Sequence, residues 1–149
     1  MTTTAAESYS SVLILNTANS NNVPVLTDIY GNVKSINFEI ESEVYVYYSC
    51  GVQFKGEFYV YGTYYDDQRQ IAKVTDCSLK RIGKLPFTFE FGACAATMDQ
   101  IFLCFDYNGD AKTCHVANQP TGHFNNIAKT AYEHDRTRIA ANNGLKMLE

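Results

Sequence analysis

A short apolar strand signal returns four times along this 149-residue chain at nearly even spacing. Val12-Leu13-Ile14-Leu15, Phe58-Tyr59-Val60-Tyr61, Ile101-Phe102-Leu103-Cys104 and Leu145-Lys146-Met147-Leu148 begin 46, 43 and 44 residues apart. A period of about 40–50 residues belongs to repeat architectures, in which each repeat is one supersecondary unit that covers its apolar faces by stacking on its neighbours. Function in such an array resides in the surface that the stacked units present.

The residues between the signals define the unit. Ser10 to Asn16, Val25 to Tyr30 and Val33 to Ile40 read as strands, with Gly31-Asn32 as a turn between the last two. Glu43 to Phe54 is a longer aromatic-rich run that turns through Lys55-Gly56 into Glu57 to Gly62. Ile71 to Leu79 follows, then a short strand around Arg81-Ile82. The next unit runs through Phe91 to Thr97, Ile101 to Phe105, Ala111 to Val116 and Gly122 to Ile127, and its Asn108-Gly109 dipeptide is a strong hairpin signal. Arg138 to Ala141 and Leu145 to Leu148 open a third. Asn126 to Asp135 is the one helix-compatible stretch, with a weak apolar face at Ile127 and Ala131. The expectation is an all-β chain. It forms a partial β-propeller with two complete four-stranded antiparallel blades at 46–88 and 89–131, part-blades at 10–45 and 132–149, and a disordered N-terminus at 1–9.

Composition narrows the function classes. Hydrophobic residues make up 46% and charged residues 19%, which is a globular balance. The net charge of −4 argues against a nucleic-acid or anionic-membrane surface, and no apolar run reaches the length of a membrane span. Five cysteines without a C-x-x-C pair remove the zinc-ribbon and thioredoxin readings, and the odd count leaves at least one thiol unpaired within the chain. Cys104 and Cys114 flank the Asn108-Gly109 turn and are a candidate cross-strand disulfide, or else two half-buried thiols packed as small hydrophobes. Cys50 and Cys94, near the starts of equivalent strands, read as core positions. The cysteine count leans toward an extracellular location, although the N-terminus shows no secretory signal.

Two stretches carry a family likeness. Cys50-Gly51-Val52, Gly56-Glu57-Phe58-Tyr59-Val60-Tyr61-Gly62 and Cys77-Ser78-Leu79-Lys80-Arg81-Ile82-Gly83-Lys84-Leu85-Pro86-Phe87 together resemble a Kelch repeat. Gly92-Ala93-Cys94-Ala95, Ile101-Phe102-Leu103-Cys104-Phe105-Asp106 and Cys114 resemble its neighbour. The resemblance covers roughly residues 10 to 149 and is to divergent Kelch-like propellers. The chain departs from the family where a glycine pair follows the second strand. Gly62 is followed by Thr63, Phe105-Asp106 stands in the second copy, and tryptophan is absent. The resemblance implies a non-enzymatic protein-interaction or scaffolding module. The alternative is a fragment of a propeller enzyme, oxidase-like or glycosidase-like, whose catalytic residues lie in other blades. The Tyr, His and Tyr–Cys pattern of the galactose-oxidising copper enzyme has no recognisable copy. Apolar strands near both chain ends suggest a piece of a larger propeller, self-association that completes a ring, or an open packing of sheets.

Candidate sites follow from loop chemistry. Tyr64 and Tyr65 are loop aromatics, and with Arg81 they are the expected rim contacts for a protein partner or a glycan. His115, His123 and His134 fit no metal motif, and Asp66, Asp67, Asp106 and Asp110 lack the D-x-D-x-D-G calcium loop. They read as turn and surface residues, so neither metal, cofactor nor catalytic residue is expected.

Overall fold

Two-residue periodicity and turn chemistry, with no helical period, set the elements of this fold. A computed structural model describes residues 11–14, 25–28, 30, 32–35, 37–63, 69–107, 112–129, 139–141 and 145–147. The chain divides into two units, residues 1–38 and 39–149. In the first, β1 (Ser11–Ile14), β2 (Val25–Asp28) and β3 (Val33–Ser35) form an antiparallel sheet in that order, with Leu26 opposite Leu13 on one side and Lys34 on the other.

The second unit holds β4 (Glu39–Ile40), β5 (Cys50–Phe54), β6 (Glu57–Tyr61), β7 (Gln70–Thr75) and β8 (Ser78–Lys84). The last four make an antiparallel meander, and β4 adds in parallel to the outer edge of β8, giving the order β4-β8-β7-β6-β5. A second meander follows from β9 (Ala93–Ala96), β10 (Ile101–Cys104), β11 (Thr113–Ala117) and β12 (Asn125–Lys129). β13 (Ile139–Ala141) and β14 (Leu145–Met147) form a hairpin. The first strands stand side by side in sequence, β5 against β9 and β9 against β13. The chain is all-β, as expected, but the first of its two large sheets is five-stranded and mixed where a four-stranded antiparallel unit is expected, because β4 pairs with the free edge of β8.

Several boundaries move, each for a local reason. The expected strand from Val33 to Ile40 divides in two. Glu39 and Glu41 donate their N–H groups to Cys77 O (3.0 Å) and Leu79 O (3.1 Å), which satisfies the open edge of β8. The aromatic run from Glu43 becomes strand only at Cys50, because the buried Gln70 side chain occupies its backbone. Gln70 Oε1 accepts from Tyr45 N–H (3.1 Å), and Nε2 donates to Tyr45 O and to Gly62 O (2.9 Å). Ile71 to Leu79 is not one strand either. Asp76 and Cys77 take φ of 48° and 60°, the two left-handed residues of a type I′ hairpin turn, and Arg81-Ile82 lies inside β8. At 126–129, the start of the helix-compatible stretch, the backbone continues β12. The expected disordered segment at 1–9 and the Asn108-Gly109 turn lie outside the described residues.

The core explains the recurring apolar signal. Along β10, Ile101 and Leu103 enter one cluster, while Phe102 and Cys104 enter a second on the opposite face. Both faces of this sheet are therefore covered. The first cluster joins the meanders, placing Val52, Tyr59, Tyr61 and Ile71 against Phe89, Ile101, Leu103 and Phe124. Fully burying each such side chain contributes about 1.5–3 kcal/mol.

The backbone repeats more faithfully than the side chains. Gly62 and Phe105, 43 residues apart, both adopt left-handed φ (70° and 63°). Their N–H groups donate to Gln70 O (3.0 Å) and Thr113 O (2.9 Å), acceptors separated by the same interval. Tyr48 and Phe91, also 43 apart, share φ of 56° and 52° immediately ahead of the two first strands.

Candidate functional site

The left-handed residues Tyr48 and Phe91 place two aromatic rings at one end of the paired meanders, with centroids 3.6 Å apart. Tyr107, in the loop after β10, adds a third ring edge-on to Phe91 at 5.6 Å. Tyr47 lies 3.8 Å from the Tyr48 ring, and its hydroxyl donates to that of Tyr48 at 2.7 Å. Tyr48 and Tyr107 are 37% and 53% exposed, so the run of rings reaches solvent at both ends with half-buried Phe91 between them. In an antiparallel meander, the segment before the first strand and the loop after the second share one end. One rim thus collects aromatic residues from three loops.

Backbone bonds fix this rim. Phe91 N–H donates to Tyr48 O (3.0 Å), and Tyr107 N–H donates to Glu90 O (3.1 Å). In the other meander, Thr63 N–H donates to Phe89 O (3.1 Å) and its hydroxyl to Tyr47 O (3.2 Å). Beneath the rings, Asp106 Oδ1 accepts from Glu90 N–H at 2.7 Å, and both acids are buried. Burial first, and the neighbouring Asp106 charge second, raise the Glu90 pKa above the ordinary glutamate value.

The sign of the resulting pH dependence follows. A carboxyl whose pKa is raised by folding holds its proton longer in the native state, so its favourable contribution is complete below the unfolded pKa and is lost as pH rises through the folded one. Glu90→Gln should therefore flatten the loss of stability as pH rises above the ordinary glutamate value of about 4.3, with the gain over the parent largest at the alkaline end. Urea midpoints measured across that rise check this, and parallel curves for the two proteins would contradict it.

The sequence-predicted residues are distributed unevenly. Tyr64 and Tyr65 lie outside the described residues. Arg81 sits mid-strand in β8, half-buried, opposite Ala72, with its backbone N–H donating to Glu41 Oε2 at 2.8 Å. Cys104 and Cys114 are directly opposite in register and at disulfide distance, with Cα atoms 4.0 Å apart. Cys50 and Cys94 pack against the first core cluster, as core positions should, and also form a second such pair between β5 and β9, with Cα atoms 5.9 Å apart. Side-by-side first strands bring together two positions that the linear pattern marks only as apolar. Cys77 is the free thiol and is exposed.

Phe91 and Tyr107 are the contacts that sequence reasoning misses. The signal was present in the repeat, because Phe91 occupies the place of Tyr48 and Tyr107 that of Tyr64, each 43 residues on. His115 stacks on Phe87 (3.9 Å, 18°) and His123 is exposed. Among the described residues no group of three or more His, Cys, Asp or Glu side chains could hold a metal ion. No helix among them is long and apolar enough to cross a membrane. Comparison with protein-family models and with curated proteins finds no match for the chain.

Proposed function

We propose that this chain is a non-enzymatic protein-interaction module built from Kelch-like blades, binding its partner through the aromatic rim of Tyr48, Phe91 and Tyr107. The observation that carries the reading is the continuous ring contact among loops of two successive meanders, exposed at both ends and held by backbone bonds. Rigid, large aromatic side chains supply contact area at low ordering cost, which is why Tyr dominates interaction hot spots. The ordered succession of β5, β9 and β13 and the 43-residue backbone repeat support the blade reading. Two disulfide-bonded pairs fit an oxidising environment.

Selection of displayed random peptides against the intact chain tests the rim. Tyr48→Ala and Tyr107→Ala should each weaken the selected peptides by about 10-fold or more, the scale of a hot-spot side chain. Lys80→Ala, an exposed change on β8, should leave them unaffected. Peptides that bind equally well to both rim variants would refute the assignment.

A further inference from the structure

The other end of the β9–β12 meander carries a surface of different chemistry. There, between the β9–β10 turn and the β11–β12 loop, opens a cleft of about 410 Å³. Gln100, Asn118, Gln119, His123 and Asn125 line it, and the buried Val116 and Ala117 complete its wall. Its size falls within the range of small-molecule sites, about 300–1,000 Å³.

The lining contains four carboxamides and one imidazole, with no carboxylate, ammonium or guanidinium. None of these five side chains makes a hydrogen bond within the described protein. Each carboxamide offers an acceptor oxygen and two N–H donors in one plane. Hydroxyl groups both donate and accept, so neighbouring hydroxyls on one ligand satisfy such a set in full. A charged ligand would surrender hydration without finding an opposite charge, which disfavours its binding here.

The cleft is also formed in advance. Gln119 to Gly122 closes a turn in which Gly122 N–H donates to Gln119 O at 3.1 Å. Pro120 O accepts from the hydroxyl of Tyr61 at 3.1 Å, and that ring is fully buried in the other meander. Phe124, at the loop's end, meets the same ring edge-on at 6.0 Å. A loop pinned before its ligand arrives avoids the ordering cost of binding.

We infer that this cleft binds a neutral carbohydrate, an uncharged oligosaccharide segment held by side-chain amides. The site is separate from the aromatic rim and stands or falls independently of it. The test is an amide-resolved NMR titration of the intact chain with maltotriose, cellotriose, xylotriose and diacetylchitobiose, each to about 10 mM, which reveals millimolar binding. A trimer of galacturonic acid serves as the anionic arm. At least one neutral sugar should shift the amides of Asn118, Gln119 and Asn125, and the anionic trimer should not. Asn118→Ala with Asn125→Ala should reduce the affinity at least 10-fold, with shifts elsewhere unchanged. Tyr61→Phe, which releases only the loop anchor, should weaken it severalfold. Absence of shifts with all four neutral sugars, a response only to the anionic trimer, shifts confined to Tyr48, Phe91 and Tyr107, or binding that survives the double substitution would each overturn the inference.

Discussion

Gly62→Ala should abolish folding or cost about 4 kcal/mol or more, among the largest effects of any single substitution in this chain. The reason is contact, with conformation as a lesser part. A Cβ at Gly62 would stand 1.8 Å from Phe89 O and 2.7 Å from Phe89 C, and both are backbone atoms that no rotamer change removes. Separating the two segments would also break the Thr63 N–H bond to Phe89 O, which ties the two meanders at the rim. The left-handed φ of 70° adds roughly 1–2 kcal/mol for an alanine. Phe105 holds nearly the same φ at the equivalent place, so that backbone conformation by itself admits a side chain. Gly56 supplies the control. Its φ is 81°, yet nothing lies within 4 Å of its notional Cβ, so Gly56→Ala should cost only about 1–2 kcal/mol. Urea unfolding of the two variants measures the contrast, and equal losses would show that backbone conformation alone explains Gly62.

Removing the Cys50–Cys94 link by Cys50→Ala with Cys94→Ala should lower stability by about 4 kcal/mol, the chain-entropy value for its 44-residue separation. The Cys104–Cys114 link spans 10 residues, and its removal should cost about 3 kcal/mol by the same relation. The longer link joins the first strands of two meanders, whereas the shorter one staples strands already paired in register. Loss of the longer link should therefore also loosen β5 from β9, visible as faster hydrogen exchange along β9. Denaturant midpoints under non-reducing conditions give the magnitudes. A midpoint unchanged in the Cys50/Cys94 variant would mean that the core between the meanders holds the two sheets without it.

The strands were legible wherever alternation and a recognised turn coincided. Lys55-Gly56 turns β5 into β6 with φ of 51° and 81°, as the glycine suggests. Asp76-Cys77 makes an equivalent turn without glycine or asparagine, and for that reason the sequence pattern carries one strand across it from Ile71 to Leu79. Tyr47 and Tyr48 sit in a run whose composition favours strand, yet Gln70 captures Tyr45 and Tyr48 turns left-handed, so the run stays irregular until Cys50. Both departures come from single side chains or dihedrals that average propensity does not register.

The return of an apolar strand every 43 to 46 residues and the all-β character follow from the sequence alone, because alternation and turn residues act over a few neighbouring positions. The partner of Cys50, the ring contact from Tyr48 through Phe91 to Tyr107, and the amide-lined cleft were decided only by tertiary structure. Each of them depends on which loops and strands meet between units. The side-by-side placement of β5 and β9 and the packing of the two meanders, which no local pattern encodes, settle that question.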